Sequence, residues 1–254
     1  VYTEFAKEIV QPITLTEVEV IPHGIDTDTF FPMEDARSKL KSVDPSWEII
    51  GNVNRNQPRK RIDLSMDVFA GYCRDKPDSR FYYHGALNDA VGIDVIDYAK
   101  RLRIMDKLVI TDPNMTPAKG VPLEVLNWIY NSFDVQINTC LGEGIGLPNF
   151  EGAACGIPQV VPNWSATKEL YGEDRGILID IDRPLLAMQQ LNTIGGLIDV
   201  DDAVEKLNIL HYHPEIKRRI AHNCFKYVNQ PKFRWSNIAA RFDNFLFHDR
   251  SPIW

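Results

Sequence analysis

Two glutamates on either side of a glycine-rich run, Glu143 and Glu151, are the residues of this chain whose spacing most clearly indicates chemistry. Residues 141–158 read LGEGIGLPNFEGAACGIP, with the two carboxylates eight positions apart. Glycines at a turn let the backbone approach a ligand closely, and the free amides at the start of a helix favour an anion. Carboxylates beside such a phosphate cradle need hydrogen-bond donors, which the hydroxyl groups of a sugar or ribose supply. The pattern therefore predicts a ligand that carries both phosphate and sugar.

A strand and a helix are predicted to hold this run. Residues 134–140 are β-prone and largely apolar, which predicts a strand that ends where the glycines begin. Pro148 suits the first turn of a helix, and Gly156 followed by Pro158 is typical of a helix end. This order puts Glu143 on the turn and Glu151 in the first turns of the helix.

The same stretch resembles a known signature. Glu143, seven residues and Glu151, with Gly-Ile-Gly-Leu-Pro between them, is similar to the E-x7-E motif of the retaining nucleotide-sugar glycosyltransferases of family 4, or glycosyl transferases group 1, of the GT-B fold. The resemblance implies that Glu143 lies by the donor sugar and that Glu151 binds the ribose. The backbone amides expected to contact the diphosphate and sugar are those of Gly144, Ile145, Gly146 and Leu147. The alternative is a tight strand–helix turn with two solvated carboxylates.

A basic cluster follows another predicted strand. Arg55, at the end of a strand and turn predicted over residues 47–55, lies five positions before Lys60, and a helix is predicted over residues 62–73. In the family this stretch supplies an arginine and a lysine that hold the donor diphosphate, and the resemblance assigns that role to Arg55 and Lys60. A solvated basic loop is the alternative. Arg59 and Arg61 are expected at the surface.

Two turns also match the family pattern. Residues 21–26, Ile-Pro-His-Gly-Ile-Asp, resemble the turn at the first strand of its carboxy-terminal domain, where Gly24 permits a tight turn near the interdomain cleft. The resemblance makes Gly24 a candidate donor-binding residue. His23 is predicted to be a turn residue and not a base. Asp112-Pro113-Asn114 occupies the place where relatives contact the nucleobase, so Asn114 is a candidate to read a base edge. Such a turn also forms without a ligand.

Composition excludes several classes of protein. The chain has 254 residues, 44% of them apolar, and a net charge of −7, which argues against an electrostatic nucleic-acid binder. A stretch of about 18 apolar residues, needed to span a membrane, is absent from the sequence. The four cysteines form no Cys-x-x-Cys pair, which indicates reduced thiols in a cytoplasmic protein. Because the chain starts at Val1 without a methionine or signal peptide, we expect a fragment.

Three Asp-x-Asp patterns do not predict a metal site. They start at Asp26, Asp180 and Asp199 and spell the metal-binding motif of the other large glycosyltransferase fold, but alternating aspartates are frequent by chance and none has the right context. The run from Gly142 begins like a dinucleotide fingerprint, but leucine stands where its third glycine belongs. The resemblance to the glycosyltransferase family likewise implies no obligatory metal or other cofactor.

The order of predicted elements indicates the fold class. Strands alternate with helices from residue 47 to residue 180, which predicts a doubly wound, parallel, Rossmann-like α/β sheet with its ligand at the carboxyl ends of the strands. Thr3 is predicted to cap a short first helix, residues 17–21 alternate like a strand, and residues after 200 are predicted to be helical.

The resemblance implies the domain organisation. Residues 1–232 are expected to form the nucleotide-sugar-binding domain, the C-terminal half of a GT-B glycosyltransferase. Residues 233–254 are expected to form a helix that crosses back to a missing N-terminal domain. Without that domain, its apolar face of Ile238, Phe242 and Phe245 must fold back or form a dimer.

The function implied by the resemblance is hexose transfer with retention from a GDP-mannose or UDP-glucose type donor to an unknown carbohydrate or lipid acceptor. Arg55 and Lys60 would stabilise the charge on the leaving diphosphate, and Glu143 would orient the sugar hydroxyls. Asp112 and Asn114 give a slight preference for guanine. The chain is expected to bind donor but not to transfer sugar alone, because the acceptor would need the missing N-terminal domain. The alternatives are a non-catalytic nucleotide-binding or interaction module and a related epimerase or phosphorylase.

Overall fold

A computed structural model describes residues 1–114, 116, 118–187 and 193–248 of the chain. The strands are β1 (Glu48–Val53), β2 (Ser79–His84), β3 (Leu108–Ile110), β4 (Val135–Ile137), β5 (Gln159–Pro162), β6 (Ile177–Ile179), β7 (Ile181–Ala187) and β8 (Thr193–Ile198). The helices are α1 (Glu4–Val10), α2 (Ala36–Lys39), α3 (Ile62–Tyr72), α4 (Val95–Leu102), α5 (Leu123–Asn131), α6 (Leu147–Ala154), α7 (Ser165–Tyr171), α8 (Val200–Tyr212), α9 (Pro214–Val228) and α10 (Trp235–Asp243).

Six parallel strands form the central sheet in the order β3-β2-β1-β4-β5-β6. From β1 the chain winds outward through β2 and β3, then returns to the other side of β1 and winds outward again from β4. The predicted doubly wound parallel sheet is confirmed. Loops that follow β1 and β4 leave the same edge of the sheet at the point where the winding reverses, which is where open α/β sheets bind ligands.

Both faces of the sheet are covered by helices, giving two apolar cores. Ile49 of β1 packs into the core with α5, α6, α7 and α9, while Ile50 packs into the core with α3, α4 and α8. Similarly, Tyr82 of β2 packs into the same core as Ile49, and Phe81 packs into the same core as Ile50. Because successive side chains of a strand point to opposite faces, a strand buried on both sides is largely apolar.

Thr3 caps α1 as predicted, since its side chain accepts a hydrogen bond from the amide of Ala6. The strand predicted over residues 17–21 is wrong. This segment bonds the start of the chain, with the amide of Ile21 donating to the carbonyl of Val1, and an alternating pattern becomes a strand only where another strand pairs with it.

The antiparallel hairpin of β7 and β8 was not predicted. Its segment contains Pro184 and two adjacent glycines, which are poor strand formers. Gly196 is needed because a Cβ there would lie 2.7 Å from the ring of Trp164, and its amide donates to the carbonyl of Leu141 at 2.8 Å. The hairpin therefore packs against the start of the glycine-rich loop.

The last described helix is partly buried. Ile238 of α10 is 2% exposed, whereas Phe242 and Phe245 are 42% and 46% exposed. Trp235 lies over Gly24, where an added Cβ would be 2.5 Å from the indole ring. The predicted boundary between residues 232 and 233 stays a prediction. None of the described helices is both long and apolar enough to cross a membrane.

Gly51 gives a test of the sheet packing. A Cβ on Gly51 would lie 2.2 Å from the ring of Phe133, so Gly51→Ala is expected to lower the free energy of unfolding by about 1 to 3 kcal/mol through overpacking. Gly120→Ala is the matched control, because no atom lies within 4 Å of its Cβ position, and its effect should stay within about 0.5 kcal/mol. Urea unfolding measures both. Equal stability of the two variants would contradict the packing.

Candidate functional site

The loops that follow β1 and β4 are bonded to each other at the edge where the strand order reverses. The amide of Leu141 donates to the carbonyl of Arg59 at 2.8 Å, and the Thr139 hydroxyl donates to the carbonyl of Arg61 at 2.7 Å. These bonds join residues more than seventy positions apart in the chain. They fix the backbone on which the basic cluster and the glycine-rich run are carried.

Glu143 is held between two cations. Lys60 Nζ donates to its Oε1, and Arg59 Nη1 donates to its Oε2 at 3.1 Å. The side chains of Glu143 and Lys60 are 6% and 8% exposed, while that of Arg59 is 45% exposed. The structure thus brings together two predicted site residues, Lys60 and Glu143, and adds Arg59, whose only signal in the sequence was its position next to Lys60.

The two cations set the ionisation of Glu143. Burial by itself acts to raise the pKa of this carboxyl group, but attraction to and hydrogen bonding with Lys60 and Arg59 outweigh it, so the pKa lies below its ordinary value. Glu143 is therefore a carboxylate at neutral pH. A buried charge is tolerated only with such partners.

The first turn of α7 fixes the backbone of Glu143. The backbone amide of Glu143 donates to Ser165 Oγ at 3.0 Å, and the backbone carbonyl of Glu143 accepts from the amide of Ala166 at 3.4 Å. Ser165 has a φ of 52°, in the left-handed region that non-glycine residues rarely adopt. Sequence reasoning identified Ser165 only as the start of a helix. Its bond to Glu143 depends on tertiary contact.

The glycine-rich run ends in the helix predicted for it. Gly146 has a φ of 76° and precedes α6, with Leu147 and Pro148 in the first turn. Among the described groups, none accepts a hydrogen bond from the amides of Gly144, Ile145, Gly146 or Leu147. Four free amides at the start of a helix form a site that can accept an anion.

Glu151 lies in a different environment on α6. Tyr130 of α5 donates its hydroxyl to Glu151 Oε2 at 2.5 Å, and no cation bonds this carboxyl group within the described residues. Burial raises the pKa of Glu151 to about 7, against a smaller opposing effect of the Tyr130 hydrogen bond. The two glutamates of the motif therefore differ in charge state near neutral pH.

Arg55 is bonded outside the Lys60–Glu143 pair. Its Nε donates to Asp89 Oδ2 at 3.1 Å, and the Asp89 side chain is only 4% exposed. Asp89 follows β2, and no local pattern in the sequence indicated this pairing. The predicted role of Arg55 stays a prediction.

The other two predicted contact residues are held by local interactions. Gly24 lies under the indole of Trp235. The neighbouring His23 ring packs edge-on against the same indole, with 4.7 Å between the two ring centroids. The backbone N–H of the exposed Asn114 donates to Asp112 Oδ1 at 2.8 Å in an Asx turn. These turns have structural explanations, and their contacts with a donor stay predictions.

The described residues contain no group of three His, Cys, Asp or Glu side chains arranged to hold a metal ion. The structure thus groups Lys60, Arg59 and the Glu143 carboxylate next to the free amides that precede α6, and Glu151 lies farther along α6. This combination suits a ligand with a charged phosphate portion and a hydroxyl-rich portion.

A family model described as glycosyl transferase-like matches residues 69–244, well over half of the chain. The chain belongs to this family. The membership in glycosyl transferases group 1 that the Glu143–Glu151 motif predicted is confirmed. The family is one of transferases, and this chain carries its motif on the loop and helix described above.

Two curated relatives illustrate the sequence similarity. The D-inositol 3-phosphate glycosyltransferase of Segniliparus rotundus is 27% identical over 169 residues, which are 65% of this chain and 36% of that protein. The GDP-mannose-dependent alpha-(1-6)-phosphatidylinositol dimannoside mannosyltransferase of Mycobacterium tuberculosis is 27% identical over 202 residues, 76% of this chain and 47% of that protein. The chain spans between about a third and a half of the length of these relatives.

Solved structures share the fold. Sucrose-phosphate synthase from Thermosynechococcus elongatus has a TM-score of 0.76 at 19% identity, covering 96% of this chain and 56% of that one. The C-terminal domain of a glycosyl transferase group 1 family protein from Francisella tularensis has a TM-score of 0.60 at 19% identity, covering 81% of this chain and 96% of that one. Anabaena HepE, solved with UDP and glucose, has a TM-score of 0.67 at 17% identity, covering 91% of this chain and 56% of that one. The chain has the Rossmann-like fold of the C-terminal half of a GT-B glycosyltransferase.

The raised pKa of Glu151 predicts a pH dependence of stability. The pKa is about 7 in the folded chain against 4.5 for an ordinary glutamate, so the folded state binds this proton more tightly than the unfolded state does. The resulting stability is fully present below about pH 4.5 and is lost as the pH rises through about 7. Relative to Glu151→Gln, which does not titrate, the free energy of unfolding of the natural chain should fall by about 2 to 3 kcal/mol over this range.

Urea unfolding between pH 4.5 and 8 measures this difference. Subtracting the free energy of unfolding of the variant from that of the natural chain removes the contributions of all other titrating groups that the substitution leaves unchanged. A difference that does not change with pH would contradict the assigned environment of Glu151.

Proposed function

We propose that this chain is the donor-binding part of a nucleotide-sugar-dependent, retaining hexosyltransferase. The observation that carries the proposal is the buried Lys60–Glu143 pair beside four free amides at the start of α6, all at the edge where the strand order reverses. Membership in a glycosyltransferase family supports the reaction class. The donor, the stereochemistry and the acceptor are parts of the proposal.

The proposed mechanism is electrostatic. Negative charge develops on the diphosphate as the bond to the sugar breaks, and Lys60, an arginine of the same loop and the free amides before α6 stabilise it without an obligatory metal. The sequence prediction names Arg55 as that arginine. Glu143 accepts hydrogen bonds from the sugar hydroxyls, and Glu151 accepts them from the ribose.

GDP-mannose and UDP-glucose are the proposed donors. One relative is named a GDP-mannose-dependent mannosyltransferase, and the solved structure of HepE contains UDP and glucose. Asp112 and Asn114 favour guanine slightly, because a carboxylate and an amide can meet the donor edge of that base. The acceptor is proposed to be a carbohydrate or a lipid, as the names of the two relatives suggest.

We propose that the activity of the whole protein needs more than the residues described. The relatives are about two to three times as long as the part of them that this chain matches, so we propose that acceptor binding requires a further N-terminal domain. The exposed Phe242 and Phe245 on and beside α10 would pack on that domain, or on a second copy of the chain in its absence. The cytoplasmic location of this protein stays a prediction.

Calorimetric titration with GDP and UDP tests donor binding. We expect saturable binding that prefers one base, and a loss of about tenfold or more in Lys60→Ala and in Glu151→Ala, since each removes a charged or hydrogen-bonding partner of the nucleotide. Lys100→Ala, an exposed lysine on α4, is the control and should bind as the natural chain does. Absence of binding to either nucleotide would refute the proposal and favour an interaction module.

Transferase activity is a separate expectation. These 254 residues alone should transfer no hexose from GDP-mannose or UDP-glucose to an added acceptor, because the acceptor site is proposed to lie on another domain. Mass analysis of the products measures it. Turnover by the chain alone would show that it holds both sites.

A further inference from the structure

We propose that a cavity beside the β7–β8 hairpin binds the apolar chain of the acceptor, so that the acceptor is a lipid and not a free carbohydrate. The inference rests on the proposed function, since it names the chemical class of the acceptor. It follows from the walls of the cavity, from the partners of its polar groups and from its place next to Glu143.

The cavity has a volume of about 350 Å³ and lies between the hairpin, the segment that leads from β1 into α3 and the loop after β2. Apolar side chains from all of these segments form its walls, together with one from the start of the glycine-rich loop: Ile62, Val91, Ile93, Leu141, Leu185 and Leu186. Within the described part of the chain, neither Lys60 nor Glu143 lines it, so it is separate from the proposed donor contacts. Its volume is in the range of pockets that hold small ligands.

Three polar side chains in the walls are bonded to protein groups. The side-chain amide of Asn56 donates to the carbonyls of Ala86 and Ile93, and its Oδ1 accepts from the backbone amide of Ile93. Arg61 Nε and Nη2 donate to the two carboxylate oxygens of Asp63. Because these groups already have partners, they do not require a polar ligand. The walls therefore offer mainly apolar surface to a molecule that enters the cavity.

The walls are fixed by bonds between the loops that form them. Asn56 holds the loop after β2 against the loop after β1, and Gly92 permits this approach, because a Cβ there would lie 2.2 Å from Asn56 Oδ1. On the other side, the amide of Gly196 donates to the carbonyl of Leu141, and the amide of Leu141 donates to the carbonyl of Arg59, both at 2.8 Å. A small, pre-formed concave site suits part of a small molecule, whereas a protein partner typically covers about 800 Å².

The mouth of the cavity is apolar. Val91 and Leu186 lie on different walls and are 54% and 50% exposed. Leu186 pairs with Ile194 across the hairpin, and Ile194 is 64% exposed. In the sequence, residues 184–197 include no Asp, Glu, Lys, Arg or His. Exposed apolar side chains at the rim of a pocket mark an interaction site, and the lack of charge favours an apolar partner.

Arg59 connects the cavity to the proposed donor site. Its side chain lines the cavity, while its Nη1 donates to Glu143 Oε2 at 3.1 Å. Leu141, which also lines the cavity, lies two residues before Glu143. A lipid whose chain fills the cavity would thus place its head group beside Glu143, the residue proposed to orient the donor sugar. The further domain proposed above would then hold the head group and not the chain.

Calorimetric titration of the full chain with methyl, butyl, hexyl and octyl β-glucoside tests the inference. The four probes share one head group, and each is used below the concentration at which it forms micelles. We expect the affinity to rise by about two- to fourfold for each added methylene, because each one that enters the cavity leaves water. Leu186→Glu should weaken binding of octyl glucoside by about tenfold or more and leave binding of methyl glucoside unchanged, since a charge at the mouth opposes only the chain.

A second variant and a matched control accompany this test. Val91→Glu puts the same charge on the other wall and decides the question if Leu186→Glu does not fold, which thermal unfolding shows. Leu123→Glu is the control, because Leu123 is 58% exposed on α5, away from the residues that line the cavity. It should bind octyl glucoside as the natural chain does. Binding of GDP and UDP should stay within about twofold in all three variants, since none of them changes a proposed donor contact.

Three results would overturn the inference. The first is equal affinity for methyl and octyl glucoside, and the second is a chain-length dependence that Leu186→Glu and Val91→Glu both retain in full. The third is a dimer in ultracentrifugation that Leu186→Glu abolishes, without binding of octyl glucoside, which would assign the cavity to a second copy of the chain. Nucleotide binding without any chain-length dependence refutes this inference alone. Chain-length dependence without binding of either nucleotide refutes the proposed function and leaves the cavity as a lipid site.

Discussion

The burial of Glu143 is the constraint on which the arrangement of this site depends. A carboxylate that is 6% exposed is stable only with close cations, and Lys60 and Arg59 supply them from a loop more than eighty positions earlier in the chain. The loops after β1 and β4 must therefore stay together. The backbone bond from Leu141 to Arg59 and the contact of Ser165 with Glu143 hold them there.

The sheet topology makes this meeting possible. Because β1 and β4 are parallel neighbours on either side of the winding reversal, their carboxyl ends lie side by side. The same edge carries the start of α6, whose free amides add partial positive charge to that of the two cations. The site thus collects positive potential in a chain whose net charge is −7, and this contrast suits a phosphate-bearing ligand.

The two glutamates of the motif show how environment separates identical groups. Glu143 is bonded by cations and has a lowered pKa, whereas Glu151 is partly buried, is bonded to the neutral Tyr130 hydroxyl and has a pKa of about 7. A ligand that offers hydroxyl groups meets a fixed carboxylate at Glu143 and a titrating one at Glu151.

The sequence by itself determined most elements of the central domain, the doubly wound parallel class of the sheet and the family, because these depend on local patterns. Apolar periodicity, the cap at Thr3 and the run between Glu143 and Glu151 are each confined to a few residues. Tertiary structure alone decided the pairing of Arg55 with Asp89, the contact of Arg59 with Glu143 and the formation of the β7–β8 hairpin. The physical reason is that side-chain ion pairs and the packing of a glycine-containing hairpin depend on groups distant in sequence. No local pattern specifies which cation a buried carboxylate will meet.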